Sequence, residues 1–279
     1  MFPLLPRLSV LSLLFVLNLA GIVGAAPEVL LAPAQSDVEL HSEAMPVLSD
    51  CRVGQALSRH YNLGLGGAEA WQQVTSVRLQ GKLITAEGEF ELTGYHKKPN
   101  LLKIILASAE RETVYSFDGE SGWMQQIRPL GAPQGLPAGM AAHFVQHAAF
   151  GGHLLYPYSE RKLIQYLDTL PVESKLCDQV RVTLGSDYQL DYFIDIATHQ
   201  EVKRRSLDLH TGHQLSMIFC SDSREAEQAY SRKISLLENE AWWGTVELEV
   251  IQINPGIMSW MFTRPPSSAS ADPDNRHRF

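Results

Sequence analysis

His143 and His147 stand four residues apart in a stretch with helical composition, which puts two imidazoles on one helix face, the arrangement that metal chelation uses. Phe144 occupies the position after His143 where the hydrolytic zinc pattern needs glutamate, and His153 is the next imidazole along the chain. A helical pair with no third ligand in the pattern reads as solvated or capping, and no metal is assigned. Asp191 and Asp195 share one face of a predicted strand, where paired acids do general acid–base work only if burial perturbs them. Gly119-Glu120-Ser121-Gly122 is one residue short of a nucleophile elbow and falls in a hairpin rather than between strand and helix. Gly64-Leu65-Gly66-Gly67 follows a helix and lacks the glycine spacing of a dinucleotide loop, so it reads as a helix stop. These patterns yield no catalytic residue and no cofactor site.

The stretch from Gly66 to Trp123 is more informative. Val77, Leu79, Gly81 and Leu83 alternate with Ser76, Arg78, Gln80 and Lys82, and Phe90 and Leu92 alternate with Glu89, Glu91 and Thr93. This is the period of strands wetted on one side. Glu87, Glu89 and Glu91 are therefore the wet face, and Val77, Leu79, Leu83, Phe90 and Leu92 form an apolar one. Either the protein's own helices or a lipid-like ligand must cover it.

Around that stretch the predicted elements fall in a simple order. A helix over 51–61 and a short one through Glu69, Ala70 and Trp71 precede strands over 74–85, 88–97, 101–107, 111–118 and 122–128. Residues 129–137, PLGAPQGLP, read as a long loop without regular structure. A helix over 138–150 carries Met140, Phe144, His147 and Gly151 along one stripe, and a shorter helix is predicted near 159–166. Strands resume over 177–184, 189–195, 200–209, 213–222, 229–238 and 243–253. Short connections demand antiparallel neighbours, so the fold class is α+β, mainly β, with a single antiparallel curved sheet around helices.

Arg7 followed by the apolar run from Leu8 to Leu19 and the small residues Val23-Gly24-Ala25 reads as a secretory signal peptide cleaved near Ala25. Removing it takes away one arginine and no acid, so the formal net charge moves from −8 to −9, which argues against nucleic acid as a partner. The domain reading is 1–25 signal peptide, 26–51 linker, 52–265 one folded domain and 266–279 a disordered tail. With three cysteines at least one stays unpaired; Cys177 and Cys220 are the candidate disulfide, against the alternative of three small buried apolar side chains. Lys203-Arg204-Arg205 reads as a charged strand edge. Of Trp242 and Trp243 one should point inward and one outward; together with Trp260 they are either core filling plus an exposed ring or a contact at a cavity mouth or membrane surface.

Several local stretches in this order resemble the periplasmic lipoprotein-carrier superfamily, which includes the outer-membrane lipoprotein-sorting proteins. They are Gly66-Gly67-Ala68-Glu69-Ala70-Trp71, Lys97-Lys98-Pro99-Asn100, Phe117-Asp118-Gly119-Glu120-Ser121-Gly122-Trp123, and Ile253-Asn254-Pro255-Gly256-Ile257 followed by Phe262 and Pro265. The resemblance implies an incomplete, half-open β-barrel of about eleven strands plugged by helices, with an interior that receives acyl chains. It implies a non-catalytic carrier in the periplasm, without cofactor, whose cargo is a lipoprotein or other amphiphile. Membrane acceptor proteins, transient membrane contact and a monomeric state belong to the same expectation. The hydrophobic lining would be Val77, Leu79, Leu83, Phe90 and Leu92, with Met140 and Phe144 from a helix that, together with the 129–137 loop, is the candidate cover. Two other classes stay open: an envelope sensor or partner-binding module, and an enzyme reusing the hydrophobic pocket.

Overall fold

The computed structural model describes residues 52–67, 73–154, 162–220 and 232–266; the signal segment, the short helix predicted through Glu69–Trp71, Cys51 and the tail lie outside them. Helix α1 (Arg52–Arg59) runs into a π turn (His60–Gly64), followed by strands β1 (Ser76–Thr85), β2 (Gly88–Lys97), β3 (Leu101–Ala107), β4 (Glu112–Phe117), β5 (Gly122–Arg128) and the two-residue β6 (Gln134–Gly135). After helix α2 (Ala138–His147) come β7 (Leu163–Val172), β8 (Lys175–Leu184), β9 (Tyr188–Asp195), β10 (Glu201–Asp208) and β11 (Gln214–Cys220). The series ends with β12 (Lys233–Glu238), β13 (Ala241–Ile253) and a 3-10 turn (Ser259–Phe262). Among the described residues no helix is long and apolar enough to cross a membrane.

The strand order is β6-β5-β4-β3-β2-β1-β13-β12-β11-β10-β9-β8-β7, so β6 and β7 end the ladder and it does not close. The mainly β, antiparallel, unclosed sheet is the expected fold. It has 13 strands where about eleven were expected. One addition is β6, a short pairing of Gln134 and Gly135 with Met124 and Trp123 inside the Pro- and Gly-rich stretch. The other is β7, which corrects the helix predicted near 159–166. Residues 163–166 alternate, with Ile164 and Tyr166 opposite Val182 and Val180 of β8, and that pairing outweighs a helical reading of a short segment. The tight turns follow local chemistry. Asp118 accepts from the Glu120 and Ser121 amides, an Asx turn that joins β4 to β5. Glu173-Ser174 and Asn239-Glu240 adopt consecutive positive φ, the two-residue geometry whose twist matches flanking strands.

The chain divides into two compact units. The first holds Thr75–Phe150 and the described residues from Glu247 onward. In it Val77, Leu79, Gly81 and Leu83 lie opposite His96, Gly94, Leu92 and Phe90, so these eight residues share one face. Leu102 and Ile104 of β3, then Phe117 and Tyr115 of β4, extend it. The other face is wet at Glu87, Glu89 and Glu91, but toward Lys97 it is crossed by the chain after β13. Lys97 Nζ donates to the Ile257 carbonyl at 2.8 Å and Lys103 Nζ to the Met261 carbonyl at 3.1 Å. Trp123 Nε1 and Ser116 Oγ both donate to the Phe262 carbonyl, and the Phe262 ring is fully buried. Asn254 starts this strap: its side-chain oxygen accepts from the Thr75 and Ser76 amides. The Asn254, Gly256, Ile257 and Phe262 pattern seen in the sequence is thus the recipe for a strap.

The second unit holds the described residues up to Val74 together with those of Gly151–Val246. Ala56 and Leu57 of α1 pack with Val180, Val182, Leu190, Tyr192 and Ile194 on one face of β8 and β9. Arg52 fastens the start of α1 to β7, donating to Thr169 Oγ1 at 2.9 Å with its guanidinium 4.3 Å from the Tyr166 ring centre. The opposite face buries Cys177, Phe193 and Val202.

The charged-edge reading of Lys203-Arg204-Arg205 is corrected here. β10 lies between β9 and β11, and its three cations each find an acid: Lys203 pairs with Glu240, Arg204 with Glu201 and Arg205 with Asp191. The Cys177–Cys220 bridge is likewise not formed: Cys177 Sγ donates to the Lys175 carbonyl and Cys220 Sγ to the Ile218 carbonyl. β8 and β11 are separated by β9 and β10, three strand spacings or roughly 14 Å, twice the Cα separation a disulfide spans. Burial pushes the Cys177 thiol up to about 11, so it is a packed apolar group and a poor nucleophile.

Candidate functional site

The apolar face of the first unit gathers the residues expected to line a hydrophobic interior. Val77, Leu79, Leu83 and Leu92 are buried, and Phe90, opposite Leu83, is half-buried. Met140 and Phe144 are buried as well, on the helix that lies against β5. Its C-terminal end is tied to the sheet: His96 Nε2 donates to the Ala148 carbonyl at 2.8 Å, and the Phe150 amide donates to the Pro99 carbonyl at 3.1 Å. The His96 and Phe150 rings lie 4.7 Å apart, tilted at 49° to each other. The N-terminal end follows Leu136, whose amide bonds the Gly122 carbonyl and whose side chain fills the space above Gly122. In this arrangement α2 lies against β5, and the chain at both its ends is fastened to strands that carry the apolar face. Each fully buried aliphatic side chain there is worth roughly 1.5–3 kcal/mol relative to exposure, and any apolar ligand that replaced the helix would inherit that surface.

The groups singled out for chemistry are structural. His143 and His147 are both buried, not solvated, because the stripe they share with Met140 and Phe144 faces the protein. Among the described residues no group of three metal-ligating side chains comes together. Asp191 is buried; burial pushes its carboxyl up, but hydrogen bonds and charge from Arg181 and Arg205 outweigh this and hold it below the usual carboxylate range. It is a fixed anion with a third partner, Gln179, rather than a proton donor. Asp195 caps its own turn, accepting from the Ala197 amide and Thr198 hydroxyl. Ser121 hydrogen-bonds Asp118 within the β4–β5 turn. Trp242 points outward and Trp243 is half-buried.

A polar cluster that the sequence reading missed lies in the second unit. Arg204, fully buried on the strand face opposite Tyr192, is clasped by Glu201 through Nε and Nη2, and its guanidinium sits 4.8 Å from the Tyr192 ring centre. Tyr192 Oη accepts from the His153 amide at 2.9 Å, and a side chain on Gly152, at φ +74°, would press on that hydroxyl. The available signal was an arginine at an inward position of an interior strand, which demands a buried acid.

Nearby, His60 is buried and its Nδ1 donates to the His199 carbonyl at 2.8 Å, which leaves Nε2 unprotonated. Desolvation, opposed by that hydrogen bond and reinforced by the charge of Arg204, lowers its pKa to about 4 from 6.5. Above pH 6.5 His60 is neutral in both states and costs nothing. As pH falls below 6.5 the unfolded chain takes up the proton first, so stability declines until about pH 4, by about 3 kcal/mol in total. Urea midpoints measured across this window should fall, and His60→Phe should reduce the slope by about one proton whatever its baseline stability. An unchanged slope would show that His60 is not the titrating group.

No protein-family model matches the chain, and no curated protein matches it. Solved structures do. A DUF1329 family protein from Desulfovibrio piger superposes with a TM-score of 0.51 at 8% identity, covering 75% of this chain and 95% of that one. A LolA superfamily protein from Nitrosomonas europaea gives a TM-score of 0.49 at 11% identity over 76% of this chain and 97% of that one. A putative outer membrane lipoprotein-sorting protein domain from Vibrio parahaemolyticus gives 0.47 at 10% identity over 76% and 94%. At such identities the likeness is one of fold, and the Desulfovibrio structure carries it.

Proposed function

We propose that this chain is an exported, non-catalytic carrier that holds the acyl chains of a lipoprotein or another amphiphile against the apolar face of β1–β4. The observation that carries the proposal is a continuous buried aliphatic face, Val77, Leu79, Leu83 and Leu92, in the same unit as a separate helix that enters after a Pro- and Gly-rich connection and buries Met140 and Phe144. The fold and the motif resemblance support the same reading. The mature protein begins after Ala25, works in the periplasm as a monomer over residues 52–265, and receives cargo when α2 yields its place to an acyl chain. The exchange is balanced: contacts of Met140 and Phe144 are lost, and each methylene buried returns about 0.8 kcal/mol.

Native mass spectrometry of the protein purified from a periplasm tests occupancy and cargo together. The expected result is a population carrying a lipid or lipopeptide adduct that denaturing extraction releases. Consistently empty protein that also takes up no fluorescent fatty-acyl probe would sink the carrier reading.

A further inference from the structure

The strap after β13 has a second property, independent of any cargo. Met258 and Trp260 project from it with 58% and 75% exposure, the most exposed methionine and tryptophan among the described residues. Two lysines bracket them. Lys97 Nζ is bound to the carbonyl of Ile257, immediately before Met258, and Lys103 Nζ to the carbonyl of Met261, immediately after Trp260. Each ammonium spends one donor on the strap, and both lysine side chains are half-buried there, so they act on the strap's surface through their charge. Arg264 follows, with Nη2 on the Pro133 carbonyl. In a chain whose formal charge is −8 there is no Asp or Glu between Glu249 and Asp272, so the strap is an acid-free stretch edged by cations.

We infer that the strap residues Met258 and Trp260, between Lys97 and Lys103, form a docking point for an anionic phospholipid surface. An indole with one apolar edge and one polar N–H suits the headgroup boundary, and lysines at the same level attract lipid phosphates. The buried Phe262 and the four hydrogen bonds from Lys97, Lys103, Ser116 and Trp123 hold the strap to the sheet, so the indole is presented without ordering a loop on contact. Trp242, 52% exposed, is a natural contrast, because it follows the Glu238-Asn239-Glu240 turn, where acids oppose an anionic surface.

The test is co-sedimentation of the mature chain with vesicles of phosphatidylethanolamine and phosphatidylglycerol, against vesicles of phosphatidylcholine alone. Binding is expected to the anionic vesicles only and to weaken with added salt. Trp260→Ala should reduce partitioning about tenfold while Trp242→Ala leaves it unchanged, both side chains being exposed enough for the fold to survive. Circular dichroism of both variants checks that survival. Equal binding by Trp260→Ala and the parent, equal loss with Trp242→Ala, binding that ignores lipid charge, or no vesicle binding by the parent would each overturn the inference. None of these outcomes bears on cargo occupancy, so this result and that of the native mass spectra stand apart.

Discussion

Glu201→Ala is expected to destabilise the protein by about 3–5 kcal/mol, because it leaves the fully buried Arg204 guanidinium without its carboxylate. Burial pushes the Glu201 carboxyl up and the Arg204 charge pulls it back, so each partner makes the other's burial tolerable. The double variant Glu201→Leu with Arg204→Met should recover most of the loss, since apolar groups of similar volume remove both desolvation penalties. Denaturant midpoints of the parent, Glu201→Leu, Arg204→Met and the double variant close the cycle. A Glu201→Ala variant within about 1 kcal/mol of the parent would show that the pair is solvated and that the core of the second unit is looser than described.

Gly81→Val should be comparably severe for a different reason. A side chain there would put Cβ 2.0 Å from the Glu247 carbonyl oxygen and 2.9 Å from Leu248 Cα, both backbone atoms of β13 that no rotamer change can move. The strands would have to separate at β1, the one that carries Val77, Leu79 and Leu83. We expect a loss of about 3 kcal/mol or more, or a fall in melting temperature of about 6–12 °C for a chain of this size. Gly88→Ala is the control: open space surrounds that position, and only its φ of +135° resists a side chain, so its effect should be smaller. A Gly81→Val protein that melts with the parent would refute the close approach.

The alternation of Val77, Leu79, Leu83 and Leu92 placed β1 and β2 to within two residues, and the same was true of most later strands, because the two-residue period is a local property that survives without knowledge of neighbours. β7 escaped because Leu163 to Tyr166 is too short to separate the two periods, and its strand character comes from pairing with β8. Lys203-Arg204-Arg205 was misread for a related reason. Three cations in a row resemble an exposed edge, yet the acids that neutralise them, Glu240, Glu201 and Asp191, come from the β12–β13 turn, the same strand and the strand before.

Chain composition and period alone therefore established a mainly β sheet with one aliphatic face, and they named the residues on that face, since a strand's two sides are written in alternate letters. Which surface covers that face was decided only in three dimensions. Burial of Met140 and Phe144, the His96 bond to Ala148 and the interior placement of Arg204 all depend on which strands become neighbours. So does the strap: Asn254, Ile257 and Phe262 show no period, and their role exists only because Lys97, Lys103, Ser116 and Trp123, far away in sequence, present donors along one line of the sheet. Alternation is set by each residue's own backbone, whereas cover, pairing of charge and presentation of Trp260 are set by contacts between residues that the chain itself keeps far apart.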